Sequence, residues 1–96
     1  MSALSKVEIQ EKLKGALGWS HAGKALYKRF TFKSFVMAIG FVNRVAEVAE
    51  KVGHHPDIAV NYNLVTLSLS THSEGGVTEA DFQLAKEIDR INRMSH

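Results

Sequence analysis

The feature that most constrains the fold is a long apolar segment, residues 34–52, which begins at Ser34 and is followed by Gly53. Apolar side chains recur in it every three or four residues, which is the period of an α-helix. Glycine is a typical residue just after a helix, and Pro56 disfavours helical geometry in the residue before it. The segment therefore predicts a helix that ends before the pair His54-His55, which we place in the following turn.

This helix is apolar on two neighbouring faces, whereas a helix that covers only its own sheet needs an apolar stripe about 100° wide. One face carries Phe35, Ile39, Val42, Ala46 and Ala49. The other carries Met37, Phe41, Val45, Val48 and Val52. We expect the first face to cover the sheet and the second to remain partly in water, where it would form a contact between subunits. Burial of both faces within one chain is the alternative.

Segments on either side of this helix show the two-residue period of β-strands. Residues 25–32 alternate with Leu26, Phe30 and Phe32 on one side, and residues 21–24 resemble a turn. Residues 58–62 and 65–69 also alternate, and they are joined near residues 61–63. The pattern predicts antiparallel strands with short connections.

The two ends of the chain carry helix signals. A capping-box spacing opens a helix over residues 5–17, and Thr78 caps a last helix with Leu84, Ala85, Ile88 and Ile91 inward. The predicted order is αββαββα, an α+β fold with a four-stranded antiparallel sheet and helices packed on one face. We expect one domain over residues 1–96, because 96 residues are too few for two ordinary domains.

Composition excludes several classes of function. The sequence has no cysteine, so it can form neither a disulfide nor a thiolate metal site, and we expect a cytoplasmic protein. No stretch approaches the roughly 20 apolar residues that span a bilayer. The net charge is +2, and the densest basic stretch, Lys24 to Lys33, contains Phe30 and Phe32 at positions typical of a core. We therefore expect no membrane contact and no direct nucleic-acid binding.

Histidines are the first candidates for acid–base catalysis in this sequence, because imidazole titrates near neutral pH. His54, His55 and His72 are candidates for an acid–base site, although surface imidazoles would give the same pattern. Three histidines could also hold zinc, but adjacent histidines project in different directions. Asp81 could be a fourth ligand, yet with Thr78 it also fits a capping box. We therefore expect no metal.

The three histidines belong to a longer pattern of residues that is spread along the chain. Its members are Glu50, His54-His55-Pro56, Tyr62, Thr71-His72 and Asp81, flanked by Gly18-Trp19 and Phe30-Thr31-Phe32-Lys33. This constellation closely resembles the signature of the pterin-4a-carbinolamine dehydratases over nearly the whole chain. The resemblance implies dehydration of 4a-hydroxytetrahydrobiopterin to the quinonoid dihydropterin, without metal or organic cofactor, in the recycling of tetrahydropterin for aromatic amino-acid hydroxylases.

The resemblance also implies roles for individual residues. Catalysis is expected from His54, His55, His72 and Asp81. Binding or support is expected from Glu50, Pro56, Tyr62 and Thr71. We expect His54 to act on the hydroxyl group, His72 to approach from another direction and His55 to hold the pterin. Asp81 would orient an imidazole, which we expect to be that of His72, while Glu50 would support the turn.

The resemblance further implies a homodimer or homotetramer. Two alternatives stay open: a protein-binding module of the same fold, as in animal family members that stabilise the dimer of a homeodomain transcription factor, and a dehydratase-like protein of molybdopterin metabolism.

Overall fold

Three helices and a four-stranded sheet make up the structure, a computed structural model that describes residues 2–95. In chain order the elements are α1 (Lys6–Leu13), β1 (Ser20–Ala22), β2 (Ala25–Thr31), α2 (Phe35–Val52), β3 (Asp57–Asn61), β4 (Leu64–Leu69), a 3₁₀ turn (His72–Glu74) and α3 (Glu79–Arg93). The strands lie in the order β1-β2-β4-β3, and every neighbouring pair is antiparallel. The predicted α+β class and the order αββαββα are confirmed.

The core lies between one face of the sheet and the helices. Alternate residues of β4 are fully buried, as the two-residue period predicts, and α3 contributes an inward stripe at three- and four-residue spacing. These buried side chains are Val65, Leu67 and Leu69 of β4, and Leu84, Ala85, Ile88 and Ile91 of α3. The alternation in β4 and the inward stripe of α3 were both predicted from the sequence.

The prediction of which α2 face is buried was wrong. Phe41 and Val45, expected to remain partly in water, are fully buried, whereas Phe35 is 50% exposed. The buried stripe is Ala38, Phe41, Val45 and Ala49. Alanines at both ends of the stripe let the helix approach the sheet closely. The Phe41 ring can then pack between Phe30 and Phe32, with its centroid 4.9 Å from each of theirs.

The beginning of the chain also differs from the sequence prediction. Helix α1 ends at Leu13 rather than near Leu17. The segment expected to be only a turn contains the short edge strand β1, which pairs with β2 across a tight turn at Gly23. Gly23 has a φ of 59°, a left-handed conformation that glycine adopts at little cost.

Helix α2 is the longest of the described helices, with 18 residues. Neither it nor any other helix within residues 2–95 combines the length and the apolar character needed to cross a bilayer.

Candidate active site

The turn after α2 places the first two histidines. Gly53 ends the helix in the left-handed conformation with a φ of 68°, and the His54 amide still donates to the carbonyl of Ala49. This is a typical helix C-terminus, in which the reversed residue lets the chain change direction. Pro56 then leads into β3. His54 and His55 therefore lie at the edge of the sheet where β3 begins and β4 ends.

A compact loop after β4 supplies the second part of the site. Thr71 and Gly76 pair as an isolated β-bridge around the 3₁₀ turn His72–Glu74. Thr78 follows as the N-cap of α3, and the predicted capping box with Asp81 is present. The Thr71 and Thr78 hydroxyls lie 2.8 Å apart. The loop therefore brings two threonines and the first turn of α3 to the turn that carries His54.

A histidine–aspartate pair joins the two parts of the site. Nε2 of His54 lies 2.6 Å from Oδ1 of Asp81, whose side chain is fully buried. The other carboxylate oxygen, Oδ2, accepts the Thr71 hydroxyl and the Thr78 amide, each at 2.9 Å. Asp81 therefore bonds to His54. The expectation that it would orient His72 was wrong. Because an ionised carboxylate only accepts hydrogen bonds, Nε2 of His54 is the donor in this bond.

His55 turns to a different carboxylate. Its Nε2 lies 2.6 Å from Oε2 of Glu50, five residues earlier in the chain, and both side chains are largely exposed. The two neighbouring histidines thus project in different directions. Within the described residues, no three histidine, aspartate or glutamate side chains come together in an arrangement that could hold a metal ion.

The structure separates the remaining expected site residues. His72 is exposed in the 3₁₀ turn, directly after Thr71. Tyr62 lies at the β3–β4 turn, at the far end of the hairpin from Asp57 and the histidines. The five residues from Asp57 to Asn61 span about 13 Å at the usual rise of a strand. Within one chain, Tyr62 is therefore not part of the histidine cluster.

A groove between α2 and α3 opens beside His54. Its volume is about 340 Å³, and its walls are mainly apolar, with Val48 and Val52 from α2 and Leu84 from α3. At its rim the guanidinium of Arg90 bonds to Glu87 and holds the pKa of that carboxyl below its ordinary value. A planar, mostly apolar ring system would find both a hydrophobic wall and an imidazole here.

Thr78 is the member of the site whose role the sequence did not reveal. The capping box was predicted as a structural alternative to a metal site. In the structure, the amide that closes this box is also one of the two donors to Asp81 Oδ2. The same hydrogen bond therefore caps α3 and holds the carboxylate that contacts His54.

Together, the αββαββα fold and the histidine–aspartate pair define a small α+β protein with a histidine site at one edge of its sheet. The chain belongs to the pterin 4 alpha carbinolamine dehydratase family, whose sequence profile matches residues 2–91. A relative from Sulfolobus acidocaldarius, provisionally assigned as a pterin-4-alpha-carbinolamine dehydratase, is 49% identical over 88 residues, which is 92% of this chain and 97% of the relative. A Herpetosiphon aurantiacus relative with the same provisional assignment is 47% identical over 91 residues, 95% of each chain.

Two solved structures share the fold. A Brucella melitensis protein described as a transcriptional coactivator/pterin dehydratase superposes with a TM-score of 0.91 at 39% identity, covering 95% of this chain and 99% of that one. A pterin dehydratase-like protein identified as a RuBisCO assembly factor in the alpha-carboxysome superposes with a TM-score of 0.65 at 25% identity, covering 77% of this chain and 86% of that one.

Proposed function

We propose that this protein dehydrates 4a-hydroxytetrahydropterins, with His54 as the acid–base residue at the hydroxyl group. The observation that carries the proposal is the bond between His54 Nε2 and the fully buried Asp81. A carboxylate on one ring nitrogen fixes the tautomer and orientation of an imidazole and leaves the other nitrogen for the substrate. In His54 that nitrogen is Nδ1, on a side chain that is 20% exposed and therefore within reach of a ligand.

The chemistry requires one proton to be delivered and one to be removed. The C4a–O bond breaks as hydroxide takes a proton and leaves as water, and the N5–H bond breaks as the C4a–N5 double bond forms. A protonated His54 gives its Nδ1 proton to the departing oxygen, and a neutral imidazole accepts the N5 proton. His72 is our candidate for the acceptor, because it follows Thr71 directly and its ring is exposed.

Asp81 stabilises both protonation states of His54 during this exchange. When His54 is protonated, the buried carboxylate lies directly against the positive charge. When His54 is neutral, the same carboxylate holds the proton on Nε2. His55 and Glu50 stand apart from this pair, and we assign them to the pterin ring and to the support of the turn.

The decisive experiment compares two histidine variants in an assay of 4a-hydroxypterin decay. His54→Ala should lower turnover about a hundredfold or more, as expected for a general acid–base residue. His21→Ala is the matched control, because His21 lies on β1, at the opposite edge of the sheet from β3. Activity of His54→Ala within about twofold of wild type would overturn the assignment, since twofold is well below 1 kcal/mol of activation free energy.

We also propose that the protein self-associates through α2. The solvent side of this helix carries an apolar strip that includes Phe35, 50% exposed, and Val36, 77% exposed, with Ile39 and Val42 half-buried beside them. Contiguous exposed apolar residues usually mark an association surface. This strip replaces the face that the sequence had suggested, and it supports a dimer or tetramer of this chain.

The alternative function is that of a protein-binding module. Structural relatives are described as a coactivator and as an assembly factor, and the exposed α2 strip could serve a different protein instead of a second copy. The assay separates the two functions, because a binding module would leave the decay of the 4a-hydroxypterin unchanged. Within the enzymatic proposal, there are two candidate metabolic roles. One is the recycling of tetrahydropterin for an aromatic amino-acid hydroxylase, and the other is in molybdopterin metabolism.

A further inference from the structure

The loop that holds Asp81 is also bound by the N-terminal arm of the chain, which we define as residues 3–13. The Leu4 amide donates to the carbonyl of Val77 at 2.7 Å. A methyl group added at Gly76 would lie 3.6 Å from Cβ of Ala3, so the arm packs along the loop. At the far end of the arm, Lys12 and Glu79 form an ion pair of 2.7 Å.

One peptide unit connects the arm to Asp81. The carbonyl of Val77 and the amide of Thr78 belong to the same planar group, in which C=O and N–H point in opposite directions. The carbonyl accepts from Leu4, and the amide donates to Asp81 Oδ2 at 2.9 Å. Val77 and Thr78 are both buried, with 2% and 0% exposure, so water has little access to replace either bond. The peptide plane is therefore fixed from both sides.

We propose that Leu4 is a positioning residue for His54, acting through this peptide unit. The path runs from the Leu4 amide to the Val77 carbonyl, across the peptide to the Thr78 amide, and through the carboxylate of Asp81 to His54 Nε2. Hydrogen bonds arranged in such a chain polarise one another and orient each member. Loss of the Leu4 bond frees the Val77–Thr78 plane to rotate, which weakens the hold on Oδ2 and with it the orientation of the imidazole.

Simple packing is the competing explanation, because the Leu4 side chain also lies against the core. The two contributions reside in different atoms, so substitutions can separate them. Leu4→Pro removes the N–H and keeps an apolar side chain. Leu4→Ala keeps the N–H and removes most of the side chain. If the proline variant fails to fold, replacing Leu4 by its α-hydroxy acid analogue removes the N–H alone.

The first measurement is the protonation pattern of the His54 ring, read from its ¹⁵N chemical shifts. Wild type should show one dominant neutral tautomer with the proton on Nε2, because that nitrogen faces Asp81. Leu4→Pro, or the α-hydroxy analogue, should shift both nitrogens towards averaged values. Leu4→Ala should keep the wild-type pattern while lowering the unfolding midpoint. An unchanged pattern in the N–H-deleted variants, or equal averaging in Leu4→Ala, would refute the proposal.

The second measurement is turnover, and it rests on the proposed dehydratase activity. The N–H-deleted variants should lose about tenfold in kcat with KM within about twofold, which corresponds to one hydrogen bond that matters to the transition state rather than to binding. Leu4→Ala should stay within about twofold in both parameters. If the tautomer shifts in these variants but the wild-type protein shows no turnover, the positioning role of Leu4 stands and only the dehydratase activity is rejected. Normal kcat in a variant whose tautomer has shifted would reject the role of Leu4 in catalysis.

Discussion

The fully buried carboxylate of Asp81 contacts the His54 ring with one oxygen and the 71–78 loop with the other. The same side chain closes the capping box of α3. Local helix stability and the orientation of the candidate catalytic imidazole thus depend on one residue. Separating these two roles requires variants that change one set of bonds at a time.

Asp81→Asn should lower kcat about ten- to a hundredfold and leave KM nearly unchanged. The amide is isosteric, but it no longer carries the charge that holds the Nε2 proton of His54 and balances its cationic form. Asp89→Asn is the matched control, because this residue is on the same helix and its carboxylate also accepts two side-chain hydrogen bonds. Steady-state kinetics of both variants provide the test, and equal losses would contradict a specific role for Asp81.

Thr71→Val should lower kcat about tenfold, since it removes the hydroxyl that donates to Asp81 Oδ2 while keeping the shape of the side chain. Thr71→Ser restores a hydroxyl at the same position and should recover most of the activity. Kinetics alongside denaturant unfolding would distinguish this effect from a loss of fold. Equal activity in the valine and serine variants would show that the hydroxyl has no influence on His54.

Val36→Glu should weaken self-association, because a carboxylate would have to lose water in an apolar contact. Val7→Glu on α1 is the matched control, with 74% exposure against 77% for Val36. Sedimentation velocity over a range of micromolar concentrations measures the effect. A wild-type protein that sediments as a monomer, or equal effects of the two substitutions, would place the α2 strip outside any subunit contact.

Phe41→Ala should lower the free energy of unfolding by about 3–5 kcal/mol, the usual range for removal of a buried phenylalanine. The ring is fully buried between Phe30 and Phe32, and alanine would leave a cavity there. Phe35→Ala removes the same group from a half-exposed position and should cost less than about 1.5 kcal/mol. Urea unfolding of both variants tests the observed orientation of α2, and a reversed order of effects would contradict it.

Acidification should loosen the start of α1. The backbone amide of Ser5, with its side chain, holds the pKa of Glu8 below its ordinary value of 4.5. A lowered pKa means that the ionised carboxyl stabilises the folded state above pH 4.5, and that this contribution is lost as pH falls through the folded-state pKa. Amide exchange of Ser5 between pH 5 and about pH 3 measures it. Glu8→Gln removes the titration, so its exchange profile should lack this step.

The sequence was sufficient for elements whose pattern is local. The two-residue period of β4 and the capping signals at Thr78 depend on near neighbours, and the structure shows both as predicted. The buried face of α2 could not be predicted in this way, because every candidate face was apolar. Steric fit decided it, since Ala38 and Ala49 allow close approach and Phe41 fills the space between two rings of the sheet.

The partner of Asp81 also could not be predicted from local sequence patterns. His54 and Asp81 are 27 residues apart, and their contact depends on how the turn after α2 meets the first turn of α3. His72 lies much nearer in sequence, but the 3₁₀ turn leaves its ring exposed. The family signature included His54, Thr71 and Asp81, which meet at this edge of the sheet, but also Tyr62, which lies elsewhere. Which of its members pair is a property of the tertiary structure.

Trp19 is the sole tryptophan of the sequence, and it lies at the other end of α3 from Asp81. Its indole donates to Asp89 at 3.0 Å, under the ammonium group of Lys28. Asp89 follows Asp81 by eight positions, which is about 12 Å along the helix. We therefore expect the fluorescence of this indole to report whether α3 is docked on the sheet and to change little when the imidazole site is altered. Unfolding curves followed at this indole can therefore be compared directly among variants of the histidine site, without correction for altered quenching by the substituted residue.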